Sequence, residues 1–491
     1  MQIAQRIKEM NPSATLEMAQ KSRELIANGI DVISLSLGEP DFDTPDFIKE
    51  AAKKAIDNNF SKYPPVAGFL PLRVAIAHKF KRDNDLDFES SQIVVSTGAK
   101  QSLANIFLSI LNEGDEVVIL APYWVTYYEQ VKLAQGIPVV VNSDISTDFK
   151  INIQDLEKAI TSKTKLVIFS SPCNPSGAVF TKDELKEIAD VVAKHPDIVI
   201  ISDEIYELIN FSGKHESIAQ FDFIKDQVAI VNGVSKGFAM TGWRLGYIAA
   251  PQWLANACIK AQGQITSGTS SISQMAALEA ISSSPTKVSY MVEEFKERKD
   301  LVVNALNEIS GIQCNDPDGA FYVYADVSDL TRDSRAFAAE ILDDAGVAVT
   351  PGLDFDAARG SLPLPVLGAL LRRFNEADAA GINRPGVLFA VQPRALMTAP
   401  WPASIRCAGP LVDYGNVIIL EPQADYLLIL AGAGDLFVTA GELVPVGRRG
   451  VRAGTQAGPP YLSLHRLLNL PLVPRDGTRK FRGRGGGCSH E

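Results

Sequence analysis

Five runs of consecutive apolar residues recur between positions 90 and 250: Ile93-Val94-Val95, Val117-Val118-Ile119-Leu120, Leu166-Val167-Ile168-Phe169, Ile198-Val199-Ile200-Ile201 and Val228-Ala229-Ile230-Val231. Amphipathic stretches such as 182–194 separate several of them. A strand that is apolar at every position is buried on both faces. Helical crossovers between such strands lead to an α/β fold with a mainly parallel sheet. Ligands of such sheets collect beyond the carboxyl ends of the strands, so the residues directly after each run are the chemical candidates.

The flanks of this block have a different texture. Residues 1–45 and 285–360 read as α+β, which predicts a smaller domain built from both sides of a large domain spanning 46–284. After Gly360, Pro, Gly, Leu and Val dominate, with short β-like runs at 416–420 and 426–430. This predicts a β-rich segment over 361–455 and an Arg/Gly/Pro-rich tail over 456–491, whose last ten residues are expected to be disordered. The cations switch as well: residues 1–310 hold 24 Lys and 6 Arg, and residues 311–491 hold 1 Lys and 16 Arg. Folding does not require that switch, because the two residues have similar helix propensity. It implies a chimera of two differently biased coding sources, joined by fusion or by an error of assembly.

A length of 491 residues exceeds what one core organises, and a net charge of −11 argues against general nucleic-acid binding and for a cytoplasmic protein. The N-terminus lacks the apolar core of a signal peptide, and no stretch approaches 18 uninterrupted apolar residues, so neither export nor membrane insertion is expected. The five cysteines are odd in number and scattered, as suits free thiols in a reducing compartment.

Five strand ends carry candidate chemistry, most of them with a bland reading beside it. In Ser235-Lys236-Gly237 a lysine follows a buried strand, where desolvation would leave a nucleophilic amine able to form a Schiff base. Arg244, eight residues on, has the planar fork that grips a phosphate. The same lysine could also be a surface residue at a helix start. Asp203 follows the strand ending at Ile201. It could pair with a pyridine nitrogen and make the ring an electron sink, or it could be a helix N-cap. Tyr206 lies near the same end and could donate to a ring oxygen. Asn174, in Pro172-Cys173-Asn174-Pro175-Ser176-Gly177, could join it, or could mark a plain turn. The small residues of Ser96-Thr97-Gly98-Ala99-Lys100 open a helical stretch whose free N–H groups could hold a phosphate. Trp124 could stack on a flat ring or sit in the core.

In this order and spacing, these segments resemble the class I, fold-type I aminotransferases that depend on pyridoxal phosphate, especially the bacterial aspartate aminotransferase branch. Asn11-Pro12-Ser13-Ala14-Thr15, Gly38-Glu39-Pro40-Asp41, Lys62-Tyr63-Pro64-Pro65 and Pro317-Asp318-Gly319-Ala320-Phe321-Tyr322 extend the likeness over about 1–360. The resemblance implies that Lys236 carries the cofactor and shuttles the proton. It implies that Asp203 pairs with the pyridinium, that Asn174 and Tyr206 bind the ring hydroxyl, and that Trp124 stacks on the ring. Gly98, Ala99, Lys100, Ser235 and Arg244 would surround the phosphate, Tyr63 would reach the phosphate of a neighbouring subunit in a homodimer, and Gly38 would line the substrate carboxylate. The implied reaction moves an amino group between an α-amino acid and a 2-oxo acid, aspartate and 2-oxoglutarate in the first place. A lyase-type reaction on the same cofactor and a catalytically impaired binding protein are the alternatives.

The pattern departs from the family in three places. Asn174-Pro175-Ser176-Gly177 stands where the family usually has Asn-Pro-Thr-Gly, and Asn11 stands where several relatives carry lysine. After Phe355 the family continues to an Arg-x-Ser-x strand whose arginine clamps the substrate carboxylate. This chain runs instead through Ser361-Leu362-Pro363, and Arg359, Arg372 and Arg373 lack the matching surroundings, so the small domain reads as truncated at its C-terminal end. Residues 364–455 resemble the degenerate LytM-type domain of murein-hydrolase activators. The five histidines (His78, His195, His215, His465, His490) show no zinc-ligand spacing, so no metal is expected.

Overall fold

The computed structural model describes residues 3–8, 10, 14–331 and 333–350, and the backbone of strands lying between 368 and 467. The expectations for Asn11, Arg359, Arg373 and the last ten residues fall outside the described residues. The chain divides into two compact units, residues 1–357 and 358–491.

The first unit is built on a seven-stranded sheet: β1 (Ile93–Ser96), β2 (Glu116–Leu120), β3 (Ile137–Val141), β4 (Thr164–Ser170), β5 (Val199–Asp203), β6 (Val228–Gly233) and β7 (Gly246–Ala249). Their order across the sheet is β1-β7-β6-β5-β4-β2-β3. Only β7 runs against its neighbours, and the remaining pairings are parallel. The carboxyl ends of β1, β2, β4, β5 and β6 therefore share one edge. That edge receives every strand-end candidate from the sequence.

Alternate residues of each strand enter two separate cores. Val95, Val118, Val167, Ile200 and Ile230 belong to one face, and Val94, Val117, Leu166, Ile201 and Val231 to the other. Side chains on both faces are almost fully buried. Each such Val or Ile stabilises the fold by about 1.5–3 kcal/mol relative to an exposed one. The first face is covered by helices α1 (Asp46–Asp57), α2 (Leu70–Lys79), α5 (Lys182–Val192), α7 (Ser271–Ser282) and α8 (Ser289–Asn307). The second is covered by α3 (Ala99–Ile110), α4 (Thr126–Leu133) and α6 (Gln252–Ile265). The amphipathic stretch read at 182–194 is α5. Its start is fixed by Thr181, whose hydroxyl accepts from Glu184 N while the Glu184 carboxylate accepts from Thr181 N at 2.7 Å.

Two strands escaped the apolar-run reading. β3 is an edge strand interrupted by Pro138, which an edge tolerates because one side of it needs no ladder donor. β7 is short and follows directly on the glycine-rich segment after Lys236.

The two ends of this unit come together. Ile33–Ser34 pairs in parallel with Val347–Ala348, and Met18 packs on Ala338 and Leu342 of α9 (Ser334–Ala345). Thr350 donates its hydroxyl proton to Ser36 O at 2.7 Å. These contacts fix the segment leading to Gly38.

In the second unit the described backbone forms a nine-stranded sheet, antiparallel at each described pairing. The β-like run at 416–420 and residues 427–430 of the second run lie in two of its strands, Gly415–Glu421 and Leu427–Leu436, which pair with each other.

Candidate active site

Asp203 is the last residue of β5, and its side chain is buried among protein atoms rather than capping a helix. Burial of the carboxylate pushes its pKa up to about 6, against the opposing pull of a hydrogen bond from the Tyr127 hydroxyl at 2.6 Å. A second, longer bond comes from Ile205 N at 3.3 Å. Lys236 lies just beyond β6 and is half-buried. Desolvation lowers its ammonium to about 8, with the charge of Arg244 acting in the same direction and Glu39 and Asp203 opposing it. Lys236 and Asp203 thus lie within electrostatic reach, each favouring the other's charged form. The Lys236 Nζ donates to the carbonyl of Gly38 and lies 5.4 Å from the Phe321 ring and 5.6 Å from the Tyr206 ring.

Tyr206 is buried three residues after Asp203, and Asn174 Nδ2 approaches its hydroxyl at 3.5 Å. Asn174 is held in the loop after β4 by a bond from its own N–H to Ser170 Oγ at 3.3 Å. Trp124 follows β2 and is half-buried, edge-to-face with Tyr127 at 5.8 Å. The ammonium of Lys100 lies 4.8 Å from the Trp124 ring centre.

The opposite end of the site is cationic. Gly98 caps α3 with φ +84° and ψ 157°, and an added Cβ would come within 2.5 Å of Arg244 Nη2. The positive φ favours glycine there, and a larger residue would displace the Arg244 guanidinium. The first N–H groups of α3, from Ala99 and Lys100, have no carbonyl one turn earlier within the helix and point out of its N-terminus toward this end. Desolvation and the nearby Arg244 lower the Lys100 ammonium. Arg244 is exposed and donates from Nη1 to Thr241 O at 2.9 Å. Ser235 is buried directly before Lys236. Tyr63 is 96% exposed.

Two aromatic hydroxyls were not singled out from sequence. Tyr127 binds Asp203; it lies on α4 one turn beyond Trp124, a helical spacing that could have flagged it. Tyr322 belongs to a segment quoted only as a landmark, and its hydroxyl lies 2.5 Å from that of Tyr206.

Glu204 and Glu207 alternate with Asp203 and Tyr206 and enter a separate buried cluster with His215. Their three ligand-type groups lie close enough to hold a metal ion. Lys79 already forms an ion pair with Glu207 and donates to Asn84 Oδ1 at 2.8 Å. His215 Nε2 lies 3.1 Å from Glu204 Oε2. Burial opposes charging of His215, but Glu204 and Glu207 outweigh it and raise its pKa. With His215 protonated, two cations balance two carboxylates within the protein itself.

The fold of the first unit is that of aspartate aminotransferases of known structure. Residues 30–363 match the family described as aminotransferase class I and II, and the chain belongs to it. It is 46% identical over 366 residues to the probable aspartate/prephenate aminotransferase of Rhizobium leguminosarum bv. phaseoli, covering 72% of this chain and 91% of that protein. It is 45% identical over 365 residues to the aspartate/prephenate aminotransferase of Cereibacter sphaeroides, covering 70% of this chain and 90% of that one. Among solved structures, the aspartate aminotransferase of Thermus thermophilus with maleate is similar at TM-score 0.70 and 40% identity, covering 73% of this chain and 93% of that chain. The aspartate aminotransferase from Rhizobium meliloti is similar at TM-score 0.69 and 38% identity, covering 72% and 93%.

Proposed function

We propose that this protein uses pyridoxal phosphate to move an amino group between an α-amino acid and a 2-oxo acid, with aspartate and 2-oxoglutarate as the pair. One observation carries the reading. A desolvated lysine and a buried carboxylate sit within electrostatic reach at one sheet edge, with a cationic helix terminus beside them.

The donor set fits the cofactor. Gly98, Ala99, Lys100, Ser235 and Arg244 suit a phosphate dianion, since the close approach of Arg244 to Gly98 leaves backbone and guanidinium on one side of a shared space. Asp203 suits a protonated ring nitrogen, Asn174 and Tyr206 a ring oxygen, and Trp124 a ring face. When bound, the cofactor supplies an electron sink for the carbanion left as the substrate loses its α-proton. Lys236 would hold the cofactor through its aldehyde carbon and, once the substrate amine had displaced it there, its freed amine would move the α-proton, being half deprotonated near pH 8. Asp203 keeps the ring nitrogen protonated from a site too dry to be screened by water. Gly38 lines the substrate carboxylate, and its carbonyl restrains Lys236.

The names of the relatives support aspartate as a substrate, and those of several add prephenate. The exposed Tyr63 supports a homodimer in which it reaches the neighbouring subunit's phosphate site. Among the described residues no helix is long and apolar enough to cross a membrane. We propose further that residues 364–455, whose described strands pair antiparallel, form a β-domain of the LytM type, and peptidoglycan binding by the full chain is its test.

Titration of the full-length protein with pyridoxal phosphate, followed by aspartate, tests the main reading. A visible absorbance band should form, disappear in Lys236→Ala, and change on adding aspartate with release of oxaloacetate. A band that aspartate leaves unchanged would refute the proposed substrate.

A further inference from the structure

We infer that Tyr322 is a positioning residue of this site, donating its proton to the Tyr206 oxygen and so leaving the Tyr206 proton free for the ring oxygen of the bound cofactor. The inference rests on the reading above. It starts from three groups whose polar atoms meet: the Tyr206 and Tyr322 hydroxyls, 2.5 Å apart, and Asn174 Nδ2, 3.4 Å from the Tyr322 oxygen and 3.5 Å from the Tyr206 oxygen.

The proton inventory decides the direction. Each phenol has one proton and can accept twice, whereas the Asn174 amide nitrogen only donates. Burial raises the pKa of both phenols, so both keep their protons at neutral pH. The contact between the two hydroxyls is itself undirected, since either could donate to the other. On its other side the Tyr322 hydroxyl closes on Gly38, where an added Cβ would overlap it. If Tyr206 donated to Tyr322, the Tyr206 proton would be spent on that contact and an arriving ligand oxygen would have to compete for it, with the Tyr322 proton turned elsewhere. With Tyr322 as donor, both are placed. Donation into Tyr206 also polarises its O–H and strengthens it as a donor in turn.

Tyr322 is held rigidly enough to do this. Its segment is bound to the two elements that carry Asn174 and Tyr206. Gly319 N donates to Gly177 O at 2.9 Å, Ala320 N to Ile209 O at 2.8 Å, and Phe211 N to Asp318 O at 2.7 Å. Asn315 Nδ2 reaches Ser176 O at 3.3 Å. An added Cβ on Gly319 would meet Pro172 at 2.7 Å, so the two loops are in full contact.

The test is the pH titration of the visible absorbance of the protein loaded with pyridoxal phosphate, in wild type, Tyr322→Phe, Tyr206→Phe and the double variant. A donor to the ring oxygen favours the form in which that oxygen is anionic, so a weakened donor moves the midpoint to higher pH. Tyr322→Phe should move it upward, by roughly three- to tenfold in proton affinity, the scale of one lost hydrogen bond. In the Tyr206→Phe background the same substitution should move nothing, because its effect passes through Tyr206. Melting curves taken alongside show that each variant is folded. An unmoved midpoint in folded Tyr322→Phe, or shifts that simply add in the double variant, would overturn the inference while leaving the cofactor reading intact. A wild-type chain that forms no visible band would overturn both.

Discussion

The hydroxyl of Tyr127 donates to the carboxylate of Asp203 across 2.6 Å, joining helix α4 to the end of strand β5 over a separation of 76 residues. Burial, joined by the charge of Glu204, raises the carboxylate, and this bond is the largest force pulling it back toward ionisation. Tyr127 therefore sets the pH above which Asp203 is an anion.

Removing that donor gives the first prediction. Asp203 must be ionised to pair with a protonated ring nitrogen, so affinity for pyridoxal phosphate should rise with pH through about 6 in the wild type. In Tyr127→Phe the rise should be displaced to higher pH. A lost bond to a buried charged group costs about 1.5–3 kcal/mol; acting through the ionisation of Asp203, it should weaken binding near pH 7 by roughly two- to fifteenfold. Fluorescence titration at several pH values measures it. An unchanged pH profile would mean that Tyr127 only fills space.

Lys236 carries the second prediction. Its ammonium is lowered to about 8, so the free amine, and with it the rate of capture of an aldehyde, should increase as pH rises through that value. Asp203 raises the pKa of Lys236, so Asp203→Asn should shift the profile to lower pH. Stopped-flow absorbance against pH reads both. A profile centred near the ordinary lysine value would contradict the desolvated site.

Gly98 occupies a backbone region that other residues enter only at a cost of about 1–3 kcal/mol, and a methyl group there would press on Arg244. Gly98→Ala should lower the melting temperature modestly and weaken binding of pyridoxal phosphate more than binding of pyridoxal, which has no phosphate. Equal losses for the two compounds would place the damage away from the phosphate end.

The buried cluster behind the site gives a stability prediction. Lys79 and Glu207 are both almost fully enclosed, so Lys79→Met leaves an uncompensated carboxylate beside His215. The loss should be roughly 3–5 kcal/mol, and a double variant replacing both by apolar residues should recover most of it. Denaturant unfolding gives the comparison. A double variant as unstable as the single one would show that the pair contributes more than charge balance.

Much of this architecture could be read locally. Val94 and Val95, or Ile200 and Ile201, are adjacent apolar residues that must both be buried, and two-sided burial with helical crossovers predicts a parallel sheet. Strand ends then locate Asp203, Lys236, Asn174 and Gly98. Pro138 hid an edge strand because edges relax the rules that make central strands legible.

The sequence by itself determined which residues stand at the carboxyl ends of the strands, since side-chain period and burial are properties of a few consecutive positions. Tertiary structure alone decided who touches whom: Tyr127 with Asp203, Tyr322 with Tyr206 across 116 residues, and Lys236 with Gly38 across 198. It also decided how far each ionisable group is desolvated. Such contacts depend on how distant segments pack, and no local period encodes them.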